Sequence, residues 1–385
     1  MPLQIAGLAT AVPRHRFSTD DTTTIAESFS LGDDRQRRML PVLARRTMVD
    51  TRHSVILDTP EGTLRDRQTF YPQVVETPEG RAVDPPTTAD RMRAYAVASA
   101  ELALPAARDA LQESGVAPER VTHLVTVSCT GFASPGTDIA LIRELGLPAN
   151  VQRTNVGFMG CHAALNGLRV ARAIAEADPA ACVLVSATEL CSLHFQYTEE
   201  VEQLVANSLF ADGSAAIVGF GSESDLAKEG GSRGGLVVRD NAAEILPATE
   251  DLMTWQIGDE GFLMTLSPEL PGRIQATIRP MLEGWLGKHG IASGDVTAWA
   301  VHPGGPRILG AFAEAMHLEE GDLRHSYGVL KEYGNMSSPT VLFVLDRWRR
   351  EFAERNTSGP VVALGFGPGL AIEAMLLEAG PSAAV

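Results

Sequence analysis

Short apolar runs alternate along the chain with longer stretches in which apolar residues recur at helical spacing. Leu3–Ala9 reads as a short strand entering a turn. Residues 20–50 are polar and Arg-rich, a pattern for surface helices. Residues 58–88 carry enough Pro, Thr and Glu to form a long excursion over the body. From Thr88 to Glu113 the sequence turns Ala-rich, which predicts a helix ending near Gly115. Val121–Ser128 predicts a buried strand. In Ser134-Pro135-Gly136-Thr137-Asp138, Pro135 suits the first turn of a helix that runs to Leu145, where Gly146 can end it. Val151–Asn155, Ala181–Ala187 and Ala215–Phe220 predict further strands, and His162–Ala177 a helix.

A Gly-, Ser- and charge-rich seam spans residues 221–235, and the same grammar returns after it. Ala298–His302 predicts a strand ending at Pro303-Gly304-Gly305, followed by a helix over Pro306–Met316. Thr340–Phe352 predicts another helix, and Val361–Gly365 a strand that runs into Gly367-Pro368-Gly369. Strands alternating with helices on both sides of the seam favour layered α/β architecture over a sandwich or a bundle. The seam divides the chain into halves at 1–225 and 226–385, which read as an internal duplication.

Composition narrows the function. Of 385 residues, 44% are hydrophobic, enough for a large core or two fused domains. The 32 Lys and Arg against 48 Asp and Glu leave a net charge of −16, the reverse of a nucleic-acid binder. A local basic patch for an anionic small molecule stays allowed. Four cysteines without a CxxC pair argue against a disulfide scaffold and a zinc ribbon, and the absence of a dense His and carboxylate cluster argues against metal. No secretory leader and no uncharged apolar run of about 18 residues is visible, so a cytoplasmic protein without a membrane span is expected. No GxGxxG follows the first strand and no P-loop occurs, so neither NAD nor ATP is supported and no cofactor is expected.

Three residues stand out chemically. Cys161 follows a glycine-rich turn just before a small-residue helix, where helix amides can favour a thiolate; it can equally be a buried, packed cysteine. His302 sits at a strand end, where an imidazole can take a thiol proton or stabilise a thiolate, or simply bond to nearby loops. Asn335 can donate an uncharged hydrogen bond to a carbonyl or enolate, or cap the following helix. Nothing in their spacing brings them together.

The ordered motifs do more. Cys129-Thr130-Gly131-Phe132, Ser134-Pro135-Gly136-Thr137-Asp138, Gly157-Phe158-Met159-Gly160-Cys161, Leu209-Phe210-Ala211-Asp212-Gly213, His302-Pro303-Gly304-Gly305-Pro306, Tyr333-Gly334-Asn335-Met336-Ser337-Ser338 and Gly365-Phe366-Gly367-Pro368-Gly369 span more than half of the chain. In this order they resemble the type III polyketide synthases, the chalcone and stilbene synthase family, and its bacterial members most.

The resemblance implies a thiolase-like αβαβα fold of two related halves and a homodimer. It implies Cys161, His302 and Asn335 as the catalytic set at the end of a buried tunnel. The substrates would be a starter acyl-CoA and malonyl-CoA, condensed with decarboxylation and cyclised to a resorcinol-, pyrone- or naphthalene-type product. A single-condensation ketosynthase or thiolase-like acyltransferase, and a non-catalytic thiolase-fold partner protein, are the competing readings. Phe210 matches a gatekeeper between tunnel and cavity, and Met264 stands where a second gatekeeper is commonly Phe. Cys129, Cys191 and His194 match cavity threonines of the plant enzymes, and Trp255 falls near a plant Gly. Arg46, with Arg45 beside it, matches a residue that holds CoA phosphates, while Gly304 and Gly305 would keep backbone close to the thioester.

Overall fold

Neighbouring residues of single strands pack into different cores. Val183 and Val185 join one apolar cluster, Cys182 and Leu184 a second. Val361 and Ala363 join that same first cluster, whereas Val362 and Leu364 join a third. Side chains alternate faces along a strand, so these strands are buried on both faces and must be covered twice by helices. The computed structural model, which describes residues 2–78, 80–221, 224–228, 235–319 and 321–380, has that arrangement.

Among the described residues, nine strands form the main sheet. From edge to edge they are Ala298–Val301, Gly359–Gly367, Ala371–Ala379, Leu236–Ile245, Leu3–Ala11, Asp212–Gly221, Cys182–Leu190, His123–Ser128 and Gln152–Gly157. The first four come from the second half of the chain and the last five from the first. Three antiparallel residue pairs, Leu3↔Val238, Gln4↔Val237 and Ile5↔Leu236, join the two sets.

The shared cluster holds helices Ala163–Ala177 and Thr340–Arg355 together with inward-facing residues of both sets of strands. Helices Thr88–Ser114 and Thr137–Leu145 cover the outer face of the first set. Helices Leu270–Gly287 and Pro306–Met316 cover the outer face of the second. The result is an αβαβα sandwich of the thiolase type. Val341 to Leu345 are buried without exception, which a helix in a central layer requires. Each such side chain contributes about 1.5–3 kcal/mol on burial.

Most predicted elements are present. Gly115 and Gly146 end their helices in left-handed conformation, φ 66° and 72°. Pro135 lies outside its helix, because Gly136 is the extended N-cap and the helix starts at Thr137. The 221–235 seam lies largely outside the described residues. The pattern gave no sign of helices Val201–Leu209, Leu270–Gly287 and Arg324–Tyr333, strands Leu236–Ile245 and Ala371–Ala379, or the hairpin of Met253–Gly258 with Gly261–Leu266. Among the described residues no helix is long and apolar enough to cross a membrane.

Candidate active site

The turn that carries Cys161 is built from backbone that few residues tolerate. Phe158 and Gly160 have φ of 60° and 80°, and a Cβ on Gly160 would stand 2.2 Å from Pro368 Cδ. The chain then makes one tight turn, Gly160–His162, before the central helix begins at Ala163. Cys129 fastens this turn from the neighbouring strand end: its sulfur accepts the Gly160 N–H at 3.0 Å. Cys161 is buried, and burial pushes its thiol up to about 11. Hydrogen bonds from the Ser337 and Asn335 side chains act the other way and are outweighed. Burial thus favours the thiol over the thiolate at this position.

His302 follows strand Ala298–Val301 and is held by its backbone, with its N–H donating to Leu364 O at 2.7 Å. Its ring is wholly buried and neither nitrogen has a hydrogen-bond partner among the described residues. Burial, and secondarily the His162 charge, lowers its pKa to about 3. This imidazole is neutral and both nitrogens are free to meet a substrate.

Asn335 follows helix Arg324–Tyr333, which stops at Gly334 with φ 70°. Its side-chain oxygen accepts the Ser337 N–H at 2.8 Å, which leaves the amide NH₂ to face the Cys161 sulfur. The capping role open to it in sequence is not taken: helix Thr340–Arg355 has Pro339 at its N-cap and no side-chain cap.

Cys161, His302 and Asn335 line one chamber of about 390 Å³, together with Arg46, Gly304, Gly305, Phe210 and Met264. An inner chamber of about 30 Å³ adjoins it, lined by Cys129, Cys191, His194 and Trp255 and again by Cys161, Phe210 and Met264. Phe210 and Met264 thus stand between the two spaces. Met264 faces Trp255 directly across the hairpin, and the Trp255 indole N–H donates to Cys129 O at 2.8 Å. His194 is clamped: Nε2 donates to Thr130 O at 2.7 Å, Nδ1 accepts the Phe262 N–H at 3.0 Å, and the ring stacks on Phe262 at 4.2 Å. Burial holds its pKa at about 3. Cys129 and Cys191 are buried thiols pushed well above their ordinary range. Among the described residues, no group of three or more His, Cys, Asp or Glu is placed to hold a metal ion.

Family models of the chalcone and stilbene synthases match residues 5–223 with the N-terminal domain and 238–381 with the C-terminal domain. The chain belongs to this family, the type III polyketide synthases. Its relatives include an "alpha-pyrone synthesis polyketide synthase-like" protein, Pks18, of Mycobacterium tuberculosis. It is 32% identical over 377 residues, 97% of this chain and 90% of that one. Type III polyketide synthase 21 of Oryza sativa subsp. japonica is 35% identical over 352 residues, 90% of this chain and 85% of the relative. Among solved structures, PKS-I from the brown alga Ectocarpus siliculosus superposes with a TM-score of 0.86 at 33% identity, covering 98% of both chains. As a type III polyketide synthase the protein is an acyltransferase of the condensing kind.

Within this type III polyketide synthase the structure separates two neighbouring arginines: Arg46 reaches the large chamber, whereas Arg45 is exposed and does not line it. Sequence reasoning missed four residues of the site. Ser337 adds a second hydrogen bond to Cys161. Arg307 lines the large chamber one residue beyond the His302–Pro306 motif, a position that could have drawn attention to it. Glu189, wholly buried, accepts from Cys129 N, Thr130 Oγ1 and Ser338 Oγ, tying the inner chamber wall to the Asn335 loop. Arg52, also wholly buried, donates to the carbonyls of Asn207 and Phe210. No local signal marks the last two as more than ordinary charged residues.

Proposed function

We propose that the protein extends a starter acyl-CoA with several malonyl-CoA units by decarboxylative Claisen condensation and then cyclises the chain. The observation that carries this reading is one chamber containing a buried thiol, a neutral imidazole with two free nitrogens, and an amide NH₂ aimed at the sulfur. Cys161 attacks the starter thioester while His302 takes its proton, and coenzyme A leaves as the thiol. His302 and Asn335 then hold the malonyl thioester oxygen as carbon dioxide departs, because hydrogen bonds fixed before reaction stabilise the enolate without reorganisation. The enolate attacks the acyl-cysteine, and the lengthened chain returns to Cys161.

Arg46 suits the CoA phosphates at the outer end of the chamber, with Gly304 and Gly305 leaving room for the thioester. The two halves, 1–225 and 226–385, divide the work: the first supplies Cys161, the second His302 and Asn335. A homodimer fits the open outer edge of strand Gln152–Gly157 and the exposed Phe132, Ile139 and Met159 near it.

Of the resorcinol-, pyrone- and naphthalene-type products, we favour the pyrone. The inner chamber holds only about 30 Å³, little room for a long chain to fold back past Phe210 and Met264 for carbon–carbon closure. Lactone formation needs only an enol oxygen to reach the thioester carbonyl. The name of the Mycobacterium tuberculosis relative points the same way. Mass spectrometry of products made from isotopically labelled malonyl-CoA tests the reading. Several labelled two-carbon units in a lactone are expected; one unit would favour the single-condensation enzyme, and no release of coenzyme A or carbon dioxide the non-catalytic partner.

A further inference from the structure

Helix Asp34–Arg45 exposes Arg35, Arg38, Met39, Val42 and Arg45 at steps of three and four, and Arg46 and Met48 extend the stripe past its end. Leu40 and Ala44, on the opposite face, are buried in the protein. Met39, Val42 and Met48 are 53%, 47% and 49% exposed. Of the acidic groups on this segment, Asp33 caps the helix and Asp34 pairs with Arg37. Arg35, Arg38, Arg45 and Arg46 form no ion pair among the described residues. On a chain of net charge −16, this is a local inversion of sign.

The stripe starts at the substrate entrance, since Leu43, Arg46 and Thr47 line the chamber that holds Cys161. Its far end does not. Arg35 lies 11 residues before Arg46, about 16 Å along a helix at 1.5 Å per residue. A phosphate held at the entrance by Arg46 is out of reach of Arg35, so the outer arginines need a larger anionic body. Exposed Arg interleaved with Met is the composition of a protein interface core. A bilayer-seated helix would instead present Trp, Phe or Leu to the lipid.

We propose that this stripe docks an acidic carrier protein that presents its acyl group as a thioester on a phosphopantetheine arm. The inference rests on the thioester reading of the site and names a second donor for it. In the transfer, the Cys161 sulfur bonds to the acyl carbon, the bond from that carbon to the arm sulfur breaks, and the arm leaves as a thiol with the proton Cys161 gave up.

The test uses the full chain, a decanoyl-loaded acidic acyl carrier protein, and decanoyl-CoA as the small donor. Acyl transfer to Cys161 is followed by intact-protein mass spectrometry for the parent and for R35E/R38E. Expected is transfer from the carrier at least tenfold slower in the variant, with transfer from decanoyl-CoA within about twofold of the parent, and carrier transfer in the parent weakening as salt rises. Equal carrier rates in parent and variant would overturn the docking surface. So would transfer from decanoyl-CoA but none from the carrier, which leaves the thioester reading standing; transfer from neither donor would overturn both. Binding to phosphatidylglycerol vesicles that R35E/R38E abolishes, with carrier transfer unchanged, would assign the stripe to a membrane surface instead.

Discussion

Phe210 and Asn335 are backbone partners. The Asn335 N–H donates to Leu209 O and the Ala211 N–H to Asn335 O, both at 2.9 Å, so the residue between the two chambers and the amide facing Cys161 share one short bridge. Arg52 holds the same segment from behind through the Phe210 carbonyl, 2.7 Å away. Where the bulky ring stands and where the amide points are thus set together.

That arrangement lets the Asn335 amide be removed without releasing the segment, because the bridge is made by backbone. Asn335→Ala should retain most starter loading while malonyl decarboxylation slows by roughly 10²-fold, the loss of about 3 kcal/mol typical of a missing oxyanion donor. Rapid-mixing measurement of acyl-enzyme and of carbon dioxide separates the two steps. Normal decarboxylation by the folded variant would remove Asn335 from the enolate site.

The two displaced pKa values give a pH signature. With the thiol at about 11 and the imidazole at about 3, burial leaves little free thiolate near neutrality, and in the proposed mechanism a neutral His302 accepts the proton as sulfur attacks. Starter loading by the parent should therefore be nearly flat between about pH 5 and 9. His302→Ala should load slowly and roughly tenfold faster per pH unit, since only pre-formed thiolate then reacts. Loading rates from quenched-flow mass spectrometry decide this; a tenfold rise per unit in the parent would show that His302 is not the base.

Buried neutral histidines also make the fold acid-labile. His194 and His302 sit at about 3 against an ordinary 6.5, and His53, His162 and His325 shift in the same direction. Between those values the unfolded chain binds protons that the folded chain refuses, so stability rises with pH across the window and is lost as pH falls through it. Urea unfolding should show a midpoint that drops from pH 7 to pH 4. In His194→Gln the slope should be shallower by one proton, about 1.4 kcal/mol per pH unit. An unchanged slope would mean that His194 is charged in the folded protein.

Trp255 and Met264 face each other across one hairpin and border the smaller chamber. Trp255→Gly removes the indole and its bond to the Cys129 carbonyl. It should enlarge the inner space and shift products toward longer chains or bulkier starters. Because Trp255 is only half-buried, the stability cost should stay below the about 3–5 kcal/mol of a fully packed ring. Met264→Phe should narrow the boundary between the chambers and disfavour long starters. The check is the starter-length profile and extension number of each folded variant at fixed malonyl-CoA; if neither moves, these two side chains do not shape the cavity.

The features legible in sequence are those fixed by local chemistry. Gly115 and Gly146 announced helix ends because a left-handed residue is needed there, and the tight turn before Cys161 was visible in its two glycines. Glu189 was not, because its partners lie 60 residues away at Cys129 and 149 away at Ser338. Arg52 likewise reaches 158 residues along the chain to Phe210. Arg45 and Arg46 look alike in sequence and both are exposed, but one residue is about 100° of helix rotation, and only Arg46 also borders the chamber. The helix start that can favour a thiolate at Cys161 is legible in sequence, whereas the burial that opposes it is not.

The most direct test of Cys161 as the acyl carrier is intact-protein mass spectrometry after exposure to acyl-CoA. The parent should gain the mass of one starter acyl group and release coenzyme A. Folded Cys161→Ala should gain nothing and form no polyketide, although Cys129 and Cys191 line the same inner chamber. An equally abundant adduct on the folded variant would contradict the account, and would place the nucleophile on another residue.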